Sequence, residues 1–409
     1  MSASVPAQPP GPRGGRPVAT SGPVLIIGTG LLGTSLGLAL SGAGVDVWLS
    51  DISPTSLQLA VDMGAGRACP APSSPPTREG VPGGREGAGP SLVVVATPPD
   101  VAGTCAAEAL AAHPGAVVTD VSSVKEAVAR DVLDAAERSH DPSMAGRYVG
   151  SHPMAGRERS GAGSADADLF FGRPWVVVAH RGSDARAVLA VRTLATDVGA
   201  VPLDLDARAH DQSVALVSHV PQLVSSLLAA RLAEAPSAAL ALAGQGLRDM
   251  TRIAASDPRL WTAIIGGNAG PVSDVLHALR ADLDGLVAAL DRAREQGPLL
   301  GGSAGAVNHV MAEGNRGVAR IPGKHGGAPQ RFAEVEVLVP DRAGELGRLF
   351  GELGEIGVNI EDLILDHSAG QRVGVARVMV DPLRARDAEI ELERRGWRII
   401  AHATREEGQ

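Results

Sequence analysis

PVLIIGTGLLGTSLGLALSGAGVDVWLSD, residues Pro23–Asp51, decides the fold of the first part of the chain. Val24–Ile27 is a short apolar run suited to a strand covered on both faces of a parallel sheet. Gly28-Thr29-Gly30-Leu31-Leu32-Gly33 follows at once, Thr34–Ser41 reads as a helix, and Val45–Leu49 is a second strand closed by Asp51. A bare G-x-G-x-x-G is a weak signal, because many glycine-rich turns carry it. This one follows a strand, opens a helix and has an acid at the end of the next strand, which is the context that dinucleotide binding requires. Gly28 makes the tight turn, Gly30 lets a pyrophosphate approach the backbone, and Gly33 allows close helix packing. The helix N-terminus faces the phosphates, and Leu32 within the glycine motif is a further cofactor-binding candidate. Asp51 accepts hydrogen bonds from the ribose hydroxyls and repels a ribose phosphate, so NAD is expected in preference to NADP. The fold expected is α/β, a Rossmann-type doubly wound sheet over residues 23–202.

Outward from this motif, Ser53–Ala65 reads as a helix, while Arg67–Pro90 is a Pro/Gly-rich surface insertion with nothing to bury. Leu92–Ala96 and Val117–Val121 are further buried strands. Ligands in doubly wound sheets sit at the carboxyl ends of strands, so Thr97 and the pair Ser122/Ser123 should line a nicotinamide pocket. Ser123 is equally placed to cap a helix over Val124–Ala136. Strand Tyr148–Ser151 then delivers His152 to the same edge, at the head of SHPMAGRERSG (Ser151–Gly161). An imidazole there can draw a proton from a substrate hydroxyl at neutral pH, or it can merely cap a turn.

The whole chain has 409 residues, which implies more than one domain. With 44% hydrophobic and 20% charged residues it has a globular profile, and with only 2% aromatics its cores must be aliphatic. A net charge of −9 argues against nucleic-acid or anionic-membrane partners. Cys69 and Cys105 make neither a disulfide framework nor a metal-ligand spacing, so no metal is expected. Residues 1–22 read as a disordered arm without the apolar core of a signal peptide, and no apolar run approaches a membrane span. A cytoplasmic protein is expected.

Residues 203–295 form an all-helical domain. In Leu205–Glu234, Gln212, Ala215, His219, Gln222 and Ser226 fall along one face of an otherwise apolar helix. Such a polar seam is satisfied either by another helix or by a polar substrate. Pro221 should kink this helix, because it frees the carbonyl of Val217. Gly246–Pro258 places Arg248 and Arg252 on one helical face, and an inward arginine there is a candidate carboxylate clamp. Val272–Arg294 is a further helix, and the apolar helical half suggests a helix-swapped or helix-packed homodimer. Residues 296–330 read as a glycine-rich linker. Residues 331–402 run strand, helix, strand, strand, helix, strand, a small ferredoxin-like α+β unit, with a second strand starting at Val358-Asn359-Ile360.

GTGLLG with Asp51, DVSSVK, SHPMAG with ERSG, HDQSVALVSHVP and LRDMTRIAASDPRLW occur here in order. Together they resemble the prephenate and arogenate dehydrogenases of tyrosine biosynthesis, from Val24 to about Arg294. The resemblance implies that His152 is the catalytic histidine, that Ser123 supports it, and that His219, Gln222 and Arg252 contact substrate. It implies NAD-dependent oxidative decarboxylation of prephenate, with arogenate as the alternative substrate. Two positions depart from the pattern: many relatives have a second histidine at Gln222 and a threonine at Arg157.

Residues 331–402 resemble an ACT domain, a regulatory module. Its turn at Asp341–Gly344 can bind a carboxylate through backbone N–H groups, with Asp341 or Asn359 taking an ammonium. Tyrosine has both groups, so feedback by tyrosine is expected here. Two other readings compete. One is a different Rossmann dehydrogenase with a helical second domain, which leaves SHPMAG unexplained. The other is a non-catalytic NAD or amino-acid sensor, which needs no Ser123/His152/Arg252 set.

Overall fold

The structure is a computed structural model that describes residues 18–69, 89–157, 161–297, 302–321, 332–367 and 373–400. The chain divides into two compact units, Met1–Arg280 and Ala281–Gln409.

The first unit opens with β1 (Val24–Ile27), α1 (Leu31–Gly42), β2 (Val47–Ser50), α2 (Pro54–Asp62) and β3 (Arg67–Ala68). It continues through β4 (Leu92–Val95), α3 (Pro99–Ala112) and β5 (Val117–Asp120). These strands form one parallel sheet in the order β3-β2-β1-β4-β5, with Val24 in register with both Val47 and Leu92. That order has its switch point between β1 and β4, so the carboxyl ends of those two strands flank the ligand crevice. Two apolar layers sandwich the sheet, one with Val24, Ile26, Leu36 and Leu49 and the other with Leu25, Val93, Val118 and Val128.

After α4 (Glu126–Arg138) and α5 (Pro142–Arg147), a second sheet is built from β6 (Gly150–Pro153), β7 (Pro174–Val178) and β8 (Val201–Asp204), with α6 (Ala185–Asp197) between the last two. A parallel bridge from Val118 to Tyr148 joins it to β5, so His152 lies within β6 beside the main sheet.

Several expectations need correction. The arm 1–22 is ordered at its end: the N–H groups of Ala19 and Thr20 donate to the Asp197 carboxylate at 3.0 and 2.6 Å. Arg67 belongs to a strand, and its guanidinium pairs with Asp46 and lies over Trp48, so the insertion starts later than Arg67. Most of that insertion, like residues 1–17, lies outside the described residues. The long apolar helix is continuous from Ala207 to Ala230 and, by length and composition alone, could cross a membrane, contrary to the expectation from sequence. It nonetheless carries buried His210, Asp211, His219 and Gln222.

That helix consists of α7 (Ala207–Val214), a π-helical turn at Ala215–His219, and α8 (Val220–Ala230). Pro221 has no N–H for the Val217 carbonyl, and the wide turn that precedes it accommodates the missing bond. The extra residue rotates α7 by about one position relative to a regular helix. Gln212 therefore faces outward and His210 and Asp211 turn inward. Next come α9 (Ser237–Leu240), α10 (Gln245–Thr251), a 3₁₀ turn at Arg252–Ala254, α11 (Pro258–Gly267) and α12 (Ala269–Gln296), in which the boundary between the units falls.

In the second unit, α13 (Ser303–Val318) occupies the stretch expected to be linker, where three glycines masked the spacing of Val307, Val310 and Met311. Then follow β9 (Ala333–Pro340), α14 (Glu345–Glu355), β10 (Asp362–His367), β11 (Val373–Val380), α15 (Pro382–Arg394) and β12 (Arg398–Ile399). The antiparallel order β10-β11-β9-β12 is that of a ferredoxin-like unit. The second strand starts at Asp362, so Asn359 lies in the preceding loop, where it donates to Glu361 at 2.6 Å.

Candidate active site

At the end of β1 the chain makes the tight turn that the glycine motif promised. Gly28 has φ +101°, and a Cβ there would sit 2.5 Å from the Ala96 carbonyl oxygen. A Cβ on Gly33 would meet the Gly28 carbonyl oxygen at 1.9 Å, so both glycines are required by packing. Gly30 is different: nothing lies within 4 Å of its added Cβ, and it caps α1 with no side chain on the helix N-terminus and no acid in the first turn. Open space beside uncapped N–H groups, those of Leu31 and Leu32 among them, fits a pyrophosphate. Asp51 is held for its task, with Oδ2 accepting from Thr29 N–H at 2.6 Å and Thr29 Oγ1 at 2.8 Å, and Oδ1 from Ser53 N–H at 2.8 Å. Thr97 follows β4, and Ser122 follows β5 with its Oγ buried and unpartnered. A buried hydroxyl without a partner is costly unless a ligand meets it. The residues present therefore fit a dinucleotide.

Beyond the glycine loop, a buried polar network spans β5, β6, α4 and α7. Asp120 accepts from Lys125 Nζ, from Tyr148 OH at 2.7 Å and from Ser122 N–H at 2.9 Å. Lys125 Nζ also donates to the Ser151 carbonyl at 2.7 Å, which ties the strand carrying His152 to the main sheet. Burial pulls the Lys125 ammonium below the usual lysine range, while Asp120 opposes it. Burial and the Asp120 carboxylate push the Tyr148 phenol well above its ordinary value, so it stays a donor. Asp211 accepts from Lys125 N–H at 2.8 Å and Glu126 N–H at 2.9 Å. Thus α4 starts at Glu126, and its first N–H groups are met from α7 and not by Ser123, which leaves Ser123 without the capping role.

His152 is buried, with its Nδ1 2.9 Å from His210 Nε2 and the two rings edge to face. Among the described residues its hydrogen-bond partner is His210 and not Ser123. Burial first, then the charges of His210, Lys125 and His219, hold its imidazole well below the usual histidine range, so it is neutral at physiological pH. His219 is lowered to about 4, again mainly by burial. Asn268 Nδ2 donates to the Asp211 carbonyl at 2.8 Å and meets His219 Nδ1 at 3.0 Å. An amide N–H on Nδ1 makes that nitrogen the acceptor, so His219 carries its proton on Nε2 and is a neutral donor. Trp261 stands edge-on to its ring, and Asn268 Oδ1 is a buried acceptor without a partner.

The remaining candidates are placed differently from expectation. Gln222 is buried, but its Nε2 donates to the Ile253 carbonyl at 2.8 Å, so it holds the turn that carries Arg252. Arg252 is exposed on that 3₁₀ turn, which directly follows α10, where Arg248 is also exposed, so neither arginine is buried within this chain. Asp341, Gly344 and Asn359 are exposed in the second unit, where Gly344 at φ +94° caps α14. Sequence reasoning missed His210, Asp211, Lys125 and Asn268. The HDQ and DVSSVK motifs contained the first three, but no periodicity marked them as buried. Among the described residues no group of His, Cys, Asp and Glu could hold a metal ion.

Comparison with known proteins bears on the family of the chain. A family model described as the nucleotide-binding domain of prephenate dehydrogenase matches residues 36–203, and one described as its dimerization domain matches residues 206–300. The "Probable prephenate dehydrogenase NovF" of Streptomyces niveus is 35% identical over 375 residues, covering 91% of this chain and 98% of that one. The prephenate dehydrogenase of Bacillus subtilis is 25% identical, covering 87% of this chain and 91% of its own. Among solved structures, the A. aeolicus prephenate dehydrogenase in complex with hydroxyphenyl propionate and NAD+ superposes with a TM-score of 0.57 at 25% identity, over 72% of this chain and 97% of that one. On its sequence, its dinucleotide cradle and these matches, the chain belongs to the prephenate dehydrogenase family.

Proposed function

We propose that this chain converts prephenate to 4-hydroxyphenylpyruvate, carbon dioxide and NADH, with His152 as the general base. The observation that carries this reading is a neutral, buried imidazole on β6 beside the dinucleotide crevice. Bound NAD, held by the glycine loop, Asp51, Thr97 and Ser122, supplies the hydride acceptor. His152 draws the proton from the ring hydroxyl as hydride leaves the same carbon. The C–CO₂ bond then gives its electrons to the ring, which becomes aromatic, and the phenolate oxygen recovers the proton. Ser123, on the loop after β5, orients the hydroxyl in this reading. His219 donates from Nε2 to a substrate oxygen, and Arg252 pairs with a substrate carboxylate.

Prephenate is favoured over arogenate because an ammonium needs an acidic partner when buried. The carboxylates of Asp120 and Asp211 are buried near the histidines, but each already accepts three hydrogen bonds. The test is NADH formation with each substrate side by side. A higher kcat/KM for arogenate contradicts the reading.

For the cofactor, kcat/KM with NAD should exceed that with NADP, and Asp51→Ser with Ile52→Arg should narrow the gap. Ile52 is fully exposed beside Asp51, where a guanidinium can reach a ribose phosphate. Equal efficiency of the unmodified chain with both cofactors contradicts this.

The reading includes a cytoplasmic homodimer, supported by exposed Leu216, Val217 and Leu227 within the stretch that matches a dimerization domain. It also includes an ACT-like role for residues 331–402, with tyrosine at Asp341, Gly344 and Asn359. We expect tyrosine to inhibit the intact chain, and Asp341→Ala with Asn359→Ala to abolish that inhibition while basal kcat stays unchanged. Equal inhibition of both forms places tyrosine in the active site instead.

A further inference from the structure

We propose that His210, held by Asp211, sets the tautomer of His152 and thereby puts the reactive lone pair on Nε2. The inference rests on His152 being the base. The Asp211 carboxylate can only accept, and it is fixed by the backbone N–H groups of Lys125 and Glu126 at 2.8 and 2.9 Å. His210 Nδ1, 2.7 Å from Asp211 Oδ1, must therefore carry the proton and donate. With Nδ1 protonated, neutral His210 has its lone pair on Nε2, which lies 2.9 Å from His152 Nδ1. That contact is a hydrogen bond only if His152 donates from Nδ1, and His152 Nε2 is then left as the acceptor. His210 and Asp211 are 0% and 1% exposed, so no bulk water competes for these roles.

The same geometry makes the pair sensitive to charge. If His210 gains a proton, both of its nitrogens donate, and His152 Nδ1 must accept. The proton of His152 then moves to Nε2, and the base is blocked. Conversely, when His152 takes the substrate proton at Nε2, its Nδ1–H faces the His210 lone pair, and the positive charge is shared toward Asp211. The other ionisable groups facing the pair are Lys125 from the start of α4, paired with Asp120 from β5, and His219 from the π-helical turn. His210 is thus a positioning residue, since its side chain bonds to Asp211 and His152.

The experiment uses the full chain labelled with ¹⁵N-histidine, with the His152 signals assigned by their loss in His152→Asn. The ¹⁵N shifts should show His152 as the Nδ1–H tautomer, and an Nε2–H tautomer overturns the proposal. His210→Gln places an amide oxygen near the lost Nε2 and keeps an acceptor, whereas His210→Phe removes it. We expect kcat to fall on the order of 10²-fold in the Phe variant, the scale of a positioned proton transfer, with the NAD dissociation constant unchanged. The Gln variant should recover most of kcat, because its amide oxygen still accepts from His152 Nδ1. Equal kcat in the Gln and Phe variants, or wild-type kcat in both, overturns the proposal. Should His210→Phe not fold, the wild-type tautomer and the kcat of the Gln variant still decide it. A fully active His152→Asn beside an Nδ1–H tautomer would reject the base and leave the tautomer assignment standing.

Discussion

His152→Asn is expected to lower kcat by about 10²–10⁴-fold, the range for loss of a positioned general base. The asparagine amide can still donate toward His210 Nε2, which His152 Nδ1 faces at 2.9 Å, so the surrounding network is preserved and the loss reports on the lone pair. Steady-state NADH formation with prephenate measures it, and a variant with wild-type turnover removes His152 from the mechanism. The pH dependence has a definite sign. Burial holds the His152 imidazole well below the ordinary histidine value of about 6.5, so the base stays neutral and the acid limb of kcat/KM should fall below that pH. His219, at about 4, is depressed in the same direction. For both groups the unfolded chain binds protons more readily than the folded one. Their contribution to stability is present above about pH 6.5 and is lost as pH falls through the folded values. Circular dichroism over the same pH range separates loss of the base from loss of the fold.

Lys125→Met is expected to cost roughly 3–5 kcal/mol of stability, the penalty for stripping one partner from a buried ion pair. The side chains of Lys125 and Asp120 are 1% and 0% exposed, so the Asp120 carboxylate would be left in the interior with only Tyr148 OH and the Ser122 N–H. The variant also loses the bond to the Ser151 carbonyl, one residue from His152, so kcat should fall as well. Urea unfolding of Lys125→Met, Asp120→Asn and the double variant measures the coupling between the two. If the double variant is more stable than either single variant, the cost lies in the unpaired charge. A Lys125→Met loss below about 1 kcal/mol contradicts a structural role for the pair.

Much of the fold was legible because the signals are local. Val24–Ile27, the glycines after it and Asp51 lie within one βαβ segment, where backbone sterics and strand burial leave few alternatives. The alternation in Ala333–Pro340 and the turn at Gly344 likewise declared the second unit. The helix at Ser303–Val318 was hidden because its three glycines dilute the apolar spacing of Val307, Val310 and Met311.

His152 could be found from its place after a strand, but its partner could not. Counting from His219 along a regular helix put Gln212 on the inner face, and the π-helical turn before Pro221 put His210 and Asp211 there instead. The inner face of a helix interrupted in this way depends on how the backbone accommodates a missing N–H, which the sequence alone does not state. Asp211 caps α4 from far along the chain, and Gln222 holds the Arg252 turn through a backbone carbonyl. Such bonds join segments with no periodic relation to each other. The sequence by itself therefore determined the dinucleotide cradle and marked His152 as the proposed base. The tertiary structure alone decided which nitrogen of that base is free, because a tautomer is set by the neighbour that folding brings to the other side of the ring.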